Sequence, residues 1–163
     1  MSDIIGAQQL TRGGETVGLL SNLSKWEVES VLNFRYWVDD DMRRNNIHCS
    51  FSKTSPSDQA KEELLAFERF LETIAENSYY PLAHHDPEYP CLGAHEAVLT
   101  RMVRLAYSGL LLEAMQMASL IALPSRAELI SLMAIRVGHA MRQIALTHST
   151  YEVSPRSESH RLH

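Results

Sequence analysis

The sequence predicts an all-α fold, a single-domain bundle of about five helices whose fourth helix is central and nearly all-apolar. Apolar side chains recur at spacings of three and four residues over several long stretches, which is the period of one helix face. Glycine and proline number only 7 and 6 in 163 residues, fewer than a β-sandwich or barrel with many turns needs. The apolar fraction of 45% is sufficient for one ordinary core.

The chain divides into three parts by composition. Residues 1–20 contain the Gly13-Gly14 pair and no sustained period, which indicates a flexible N-terminal arm. Residues 21–148 carry the helical patterns and form the predicted all-helical domain. Residues 149–163 are polar and read as a C-terminal tail.

The first predicted helix begins at Ser24 and ends near Asp40, with Ser24 and Glu27 in the spacing of a capping box. Arg35 lies four residues before Asp39, so we expect an ion pair within this helix. The helix has aromatic side chains on more than one face, which is typical either of a subunit contact or of a core helix covered by its neighbours. The candidate interface residues are Trp26, Tyr36 and Trp37.

Four further helices are predicted, over residues 55–78, 94–107, 110–122 and 125–146. The first of these has a clean inward stripe of Ala60, Leu64, Phe67, Leu71 and Ile74. The helix over 110–122 is apolar almost all round, which places it in the centre of the bundle or in a subunit interface. The last helix is predicted to direct inward Leu129, Met133, Val137, Met141 and Ile144.

Residues 84–96, which precede and open the third helix, concentrate three histidines, one of the two cysteines and three carboxylates. Imidazole, thiolate and carboxylate groups gathered at a helix start could hold zinc or iron. The candidate metal ligands are His84, His85, Cys91, His95 and Glu96. In the alternative interpretation His95 caps the helix, the other two histidines are exposed, and Cys91 is a small buried apolar residue.

Composition restricts the classes of function. A net charge of −5 with pI about 5.9 does not favour nucleic acid or anionic lipid as a partner. No apolar run reaches the roughly 18 residues of a membrane span, the N-terminus does not resemble a secretory signal, and two cysteines make no disulfide framework. We therefore expect a cytoplasmic protein.

Three functional hypotheses follow from the sequence. The first is a non-enzymatic protein that acts by protein–protein association, as a homodimer, with a regulatory role open to it. The second is a zinc- or iron-dependent protein or enzyme that uses the candidate ligands. The third is a helix-turn-helix regulator built from the last two helices. No nucleophile elbow or phosphate-binding glycine loop is present, so the sequence itself indicates no catalytic activity.

Overall fold

A computed structural model describes residues 13–39, 41–53 and 57–158, without the side chains of residues 41–44, 57 and 149–158. This part of the chain is mostly helical and contains six α-helices and one small antiparallel sheet. The all-α prediction is therefore confirmed in its broad form, with six helices rather than five.

The elements follow one another in a simple order. The strands are β1 (Thr16–Leu19) and β2 (Cys91–Gly93), and short 3-10 helices cover Leu20–Asn22 and Pro124–Arg126. The α-helices are α1 (Lys25–Asp39), α2 (Asp41–Ser52), α3 (Ser57–Asn77), α4 (Ala94–Tyr107), α5 (Leu111–Ala118) and α6 (Ala127–Glu158). Helix α2 is the additional one, and its Ile47 and Phe51, four residues apart, are buried in the core.

The core is built around α6, which packs against each of the other described α-helices. The predicted inward stripe of α3 is confirmed, because all five of its members are buried. Ala114 and Ala118 of α5 belong to the same buried cluster as Ala127 and Ala134 of α6. The core therefore combines large side chains from α3 and α4 with alanines from α5 and α6.

The predicted fourth helix is not central. It is the eight-residue α5, and only one side of it, formed by Ala114 and Ala118, is buried. Leu112 is 72% exposed and Leu120, just beyond the helix, is 63% exposed. The apolar residues on all faces of α5 therefore did not predict its burial. The central helix is α6. Neither α5 nor any other helix in the described ranges is long and apolar enough to cross a membrane.

The boundaries of the predicted arm and tail differ from the structure. Strand β1 lies within the predicted arm and pairs antiparallel with β2. Backbone hydrogen bonds from Leu20 N–H to the Pro90 carbonyl (2.9 Å) and from Ala94 N–H to the Glu15 carbonyl (2.9 Å) extend that pairing. Helix α6 continues to Glu158, beyond the predicted start of the tail. Residues 1–12 of the arm and 159–163 of the tail lie outside the described residues.

Candidate functional site

The connector, residues 78–93, joins α3 to α4 and is held from inside by a buried ion pair. Arg35 of α1 is 0% exposed and Glu96 of α4 is 1% exposed. The Arg35 Nε donates to Glu96 Oε1 (2.7 Å), and its Nη2 donates to Oε2 (2.8 Å). The pair is thus bidentate, the strongest arrangement open to an arginine and a carboxylate.

The remaining N–H groups of the Arg35 guanidinium bind the backbone of the connector. Its Nη1 donates to the carbonyls of Asp86 (3.1 Å) and Tyr89 (2.7 Å), and its Nη2 donates to the carbonyl of Cys91 (2.7 Å). Together with the two bonds to Glu96, these contacts use all five N–H donors that a guanidinium has. A single side chain therefore fixes the irregular backbone at three carbonyl groups.

Glu96 holds the same segment by accepting hydrogen bonds from backbone N–H groups of the connector. Oε1 accepts from the His85 N–H (3.0 Å) and Oε2 from the Gly93 N–H (2.9 Å). The second bond is the glutamate half of a capping box, since Gly93 is the N-cap of α4 and Glu96 its third residue. Burial by itself would raise the pKa of Glu96, but the bonds from Arg35, Gly93 and His85 and the charge of Arg35 lower it.

Two further bonds fix the first half of the connector. The Tyr79 N–H donates to the Ile121 carbonyl (3.3 Å), and the Ala83 N–H donates to Nδ1 of His95 (2.9 Å). His95 must carry a lone pair on Nδ1 to accept that bond, and burial lowers its pKa, which favours the neutral ring. Gly13 packs directly on this ring, where an added Cβ would overlap it. The connector is therefore anchored along its whole length although it has almost no regular structure.

The structure does not bring the five candidate metal ligands into one ligand set. Among the described residues no group of three or more His, Cys, Asp or Glu side chains is arranged to hold a metal ion. Glu96 accepts four hydrogen bonds already, and His95 uses Nδ1 to hold the connector. His95 does lie at a partly buried position at the start of α4, as its place on the apolar stripe predicted.

The other three candidate ligands, His84, His85 and Cys91, have different surroundings. His84 is exposed and meets Phe34 edge-on, with ring centroids 6.4 Å apart. His85 stacks beside Tyr89 at 4.6 Å, and its buried Nε2 has no hydrogen-bond partner among the described residues. Cys91 is a free, half-buried thiol whose backbone carbonyl, rather than its sulfur, contributes to the Arg35 contacts.

The predicted ion pair between Arg35 and Asp39 is wrong, because every N–H of Arg35 is used by Glu96 and the connector. Arg35 is the only charged residue between Glu29 and Asp39 and is flanked by Phe34 and Tyr36, which was the available signal that this side chain is buried. Its partner could not be read from local spacing, since Glu96 lies 61 residues further along the chain.

An aromatic groove of about 500 Å³ lies between the end of α1 and the first half of the connector. Its lining residues are Trp37, Val38, Ala75, Ser78, Tyr79, Tyr80, Pro81, Leu82 and His84. Tyr79 and Tyr80 expose nearly half of their surface. Within the described ranges no aspartate, glutamate, lysine or arginine belongs to the lining.

The three candidate interface residues have different surroundings. Trp37 lines the aromatic groove, whereas Tyr36 is half-buried and packs against the core. Trp26 stacks at a separate place, beside Tyr107 and Arg142. The groove could not be anticipated from α1 alone, because most of its wall comes from the connector.

The two helices needed for a helix-turn-helix unit are α5 and α6, joined through the 3-10 turn Pro124–Arg126. Arg136, one of the donors that this hypothesis requires on α6, is paired with Glu63 of α3 at 3.1 Å. The exposed start of α6 carries Leu129 and Leu132 beside Glu128. This surface is unlike the basic, donor-rich face of a DNA-recognition helix.

Comparisons with protein-family models, with curated proteins and with solved structures find no match for this chain. A helical bundle with one small sheet serves many unrelated functions and by itself indicates none. What the chain does must therefore follow from the geometry of its own sites.

Proposed function

We propose that this is a cytoplasmic protein that acts by protein–protein association, forming a homodimer through the aromatic groove. The observation that carries the proposal is the combination of exposed aromatic side chains with a connector that is rigidly held from inside. Tyr79 and Tyr80 project from a segment anchored at Tyr79 and Ala83 by hydrogen bonds, and the following residues are held by Arg35 and Glu96.

Such pre-organisation supports a binding role. A free loop loses conformational entropy when it docks, whereas a loop already fixed in one conformation retains more of its contact energy as affinity. Tyrosine and tryptophan provide a large contact area with few rotatable bonds, and they are enriched where binding energy concentrates. Burying two charges costs desolvation free energy, which is unusual for a connector whose only role is to join two helices.

Charge supports a second copy as the occupant. Two chains of net charge −5 repel each other over most of their surfaces. Among the described residues the lining of the aromatic groove has no acidic side chain, so it is a face on which two copies can approach. Trp37 lines the groove together with the exposed Tyr79 and Tyr80, and a two-fold axis would place the tyrosines of each copy against the groove of the other.

Multi-angle light scattering across a dilution series tests this proposal. We expect a dimer in the native chain and a dissociation constant raised about tenfold or more by Tyr79→Ser with Tyr80→Ser, since these truncations remove aromatic contact area. Leu65→Ser is the matched control, because Leu65 of α3 is exposed to the same extent as Tyr79 and lies outside the groove.

Two outcomes would overturn the proposal. One is a strictly monomeric chain up to about 0.1 mM, a concentration at which even a weak specific dimer forms. The other is a dimer that the tyrosine variants leave intact. Circular dichroism of each variant shows whether its fold is retained, so that a loss of association can be assigned to the surface.

A further inference from the structure

Arg142 of α6 lies between two aromatic rings at the other end of α1. Its guanidinium carbon is 4.0 Å from the centroid of the Tyr107 ring and 5.0 Å from that of Trp26. The two rings are themselves 6.4 Å apart. A guanidinium stacked on aromatic faces keeps its planar edge of N–H donors directed outward, ready for a planar anion.

This cation is not neutralised within the described part of the chain. No carboxylate there lies in ion-pair distance of Arg142, and its buried Nε has no hydrogen-bond partner. Arg35, by contrast, uses all five of its donors, and Arg136 pairs with Glu63. A buried donor without a partner costs free energy, and the buried Nε of Arg142 is such a donor.

The Tyr107 ring beside Arg142 is itself fixed by the packing of α4 against α6. Gly138 lies one helical turn before Arg142, and a Cβ at Gly138 would come within 2.9 Å of the Tyr107 Cβ. The absence of that atom allows Tyr107 to lie flat against α6. His139 meets the same ring edge-on, with centroids 4.8 Å apart. The guanidinium therefore has a defined position before any ligand arrives.

Beside Arg142 is a groove of about 340 Å³, the Arg142 groove, within the size range of small-molecule sites. Its lining includes Lys25, Trp26, Tyr107, Gln143 and Leu146, and no acidic residue among the side chains that the structure describes. Leu146 is 63% exposed, so the groove continues from a cationic end along an apolar wall. The positive charge of this groove is opposite in sign to the net negative charge of the chain as a whole.

We propose that the Arg142 groove binds a small organic carboxylate with an apolar body. The carboxylate would accept hydrogen bonds from the outward edge of Arg142, a charge-assisted geometry that selects planar anions. The apolar body would lie along Trp26 and Leu146, which bury it from water. This site is separate from the aromatic groove and does not depend on the proposed dimer.

Isothermal titration with two pairs of probes tests the proposal. The carboxylates are phenylacetate and octanoate, and their neutral counterparts are phenylacetamide and octanamide. We expect saturable binding of at least one carboxylate, and binding of its amide weaker by about tenfold or more, because only the anion has a charge-assisted bond to Arg142. Acetate should bind far more weakly than octanoate, since it lacks the apolar body.

Variants locate the site. Arg142→Gln should weaken carboxylate binding by about tenfold or more, while Arg136→Gln, a change of the same kind on the same helix, should leave it unchanged. Trp26 lies in the groove and Trp37 does not, so in a Trp37→Phe background the carboxylate should alter the tryptophan emission. Repeating the titration in the Tyr79→Ser and Tyr80→Ser background separates this site from the dimer.

Several results would overturn this proposal. They are equal binding of carboxylate and amide, binding that survives Arg142→Gln, acetate binding as tight as octanoate, and the absence of saturable binding of either carboxylate up to about 10 mM, where even a very weak specific site would fill. Each can occur whether or not the chain dimerises, so the two proposals fail independently.

Discussion

Arg35 and Glu96 differ from most buried ion pairs because their hydrogen bonds reach beyond each other. A buried pair can often be replaced by apolar side chains of similar volume with little loss of stability. Here the two side chains also satisfy three carbonyls and two N–H groups of the connector. An apolar replacement would leave all five without these partners at buried or part-buried positions.

Glu96→Gln should lower the free energy of unfolding by about 3–5 kcal/mol, the range for removing one charge of a buried pair. The amide would direct a donor towards groups that are themselves donors, either Arg35 or the Gly93 N–H. Urea unfolding followed by circular dichroism measures the loss. Glu63→Gln, which breaks the exposed pair with Arg136, is the control and should cost no more than about 1 kcal/mol.

The double variant Arg35→Met with Glu96→Leu separates the two roles of the pair. If the backbone bonds matter as described, it should remain destabilised by several kcal/mol, as is typical of buried polar groups left unpaired. Recovery of native stability in the double variant would show that the pair stabilises only itself. A coupling energy from the complete cycle then quantifies the interaction between the two side chains.

At the scale of single elements, the inward stripe was predicted more accurately for α3 than for α6. In α3 all five residues of the predicted stripe from Ala60 to Ile74 are buried, because apolar residues repeat at helical spacing, although the buried Phe70 was not included in it. In α6 the predicted stripe is right at Val137, Met141 and Ile144, but Leu129 is 45% exposed. Steps of four residues rotate slowly around a helix, so the true stripe passes through Ile130 and Ala134 instead.

The contact between α4 and α6 at Gly138 leads to a prediction. Alanine in place of glycine normally stabilises a helix interior by about 1 kcal/mol. Gly138→Ala should instead destabilise the protein by about 1–3 kcal/mol, as overpacking does, because the new Cβ meets the Tyr107 Cβ at 2.9 Å. Thermal unfolding of this variant provides the measurement.

The comparison variant for Gly138→Ala is Gly18→Ala in β1, where the added Cβ would have its closest contact at 4.0 Å, with Leu92. It should be neutral or slightly stabilising, since alanine reduces the freedom of the unfolded chain. Equal effects of the two substitutions would contradict the tight helix contact described for Gly138.

Over the whole molecule, the sequence was sufficient for the fold class and insufficient for the arrangement of sites. Helical periods and sparse glycine predict an all-α bundle, because these signals are local. The ion pair joins residues 61 positions apart, and the sheet joins Thr16 to Gly93. Such pairings depend on how helices pack, which no spacing within one element records. The Arg142 groove was missed for the same reason, as its residues come from three helices.

The lowered pKa values of His95 and Glu96 predict that acid destabilises the protein in two ranges. For each group the unfolded chain takes up a proton at higher pH than the folded chain does, so stability is lost as pH falls. The contribution of His95 is complete above its ordinary pKa of 6.5 and decreases below it. The contribution of Glu96 is complete above 4.5 and is lost at lower pH.

Unfolding free energies measured in urea from about pH 8 to pH 3 test these two ranges. We expect His95→Gln to reduce the slope below pH 6.5 and to leave the acidic range unchanged. Glu96→Gln should reduce the slope below pH 4.5. Slopes that are identical in the native chain and in His95→Gln would show that this ring does not titrate between the two states.

Because Arg35 and Glu96 hold the connector by its main chain, its path depends little on its outward side chains. The hydrogen bonds end on main-chain groups of residues 85, 86, 89, 91 and 93, so the side chains at most of these positions take no part in them. Gly93 is the exception, because an added Cβ would lie 3.1 Å from the His85 ring. Apart from it, the outward residues of the connector can be exchanged for others while its path is retained. Two residues outside the connector thus make it a frame on which new recognition surfaces can be displayed.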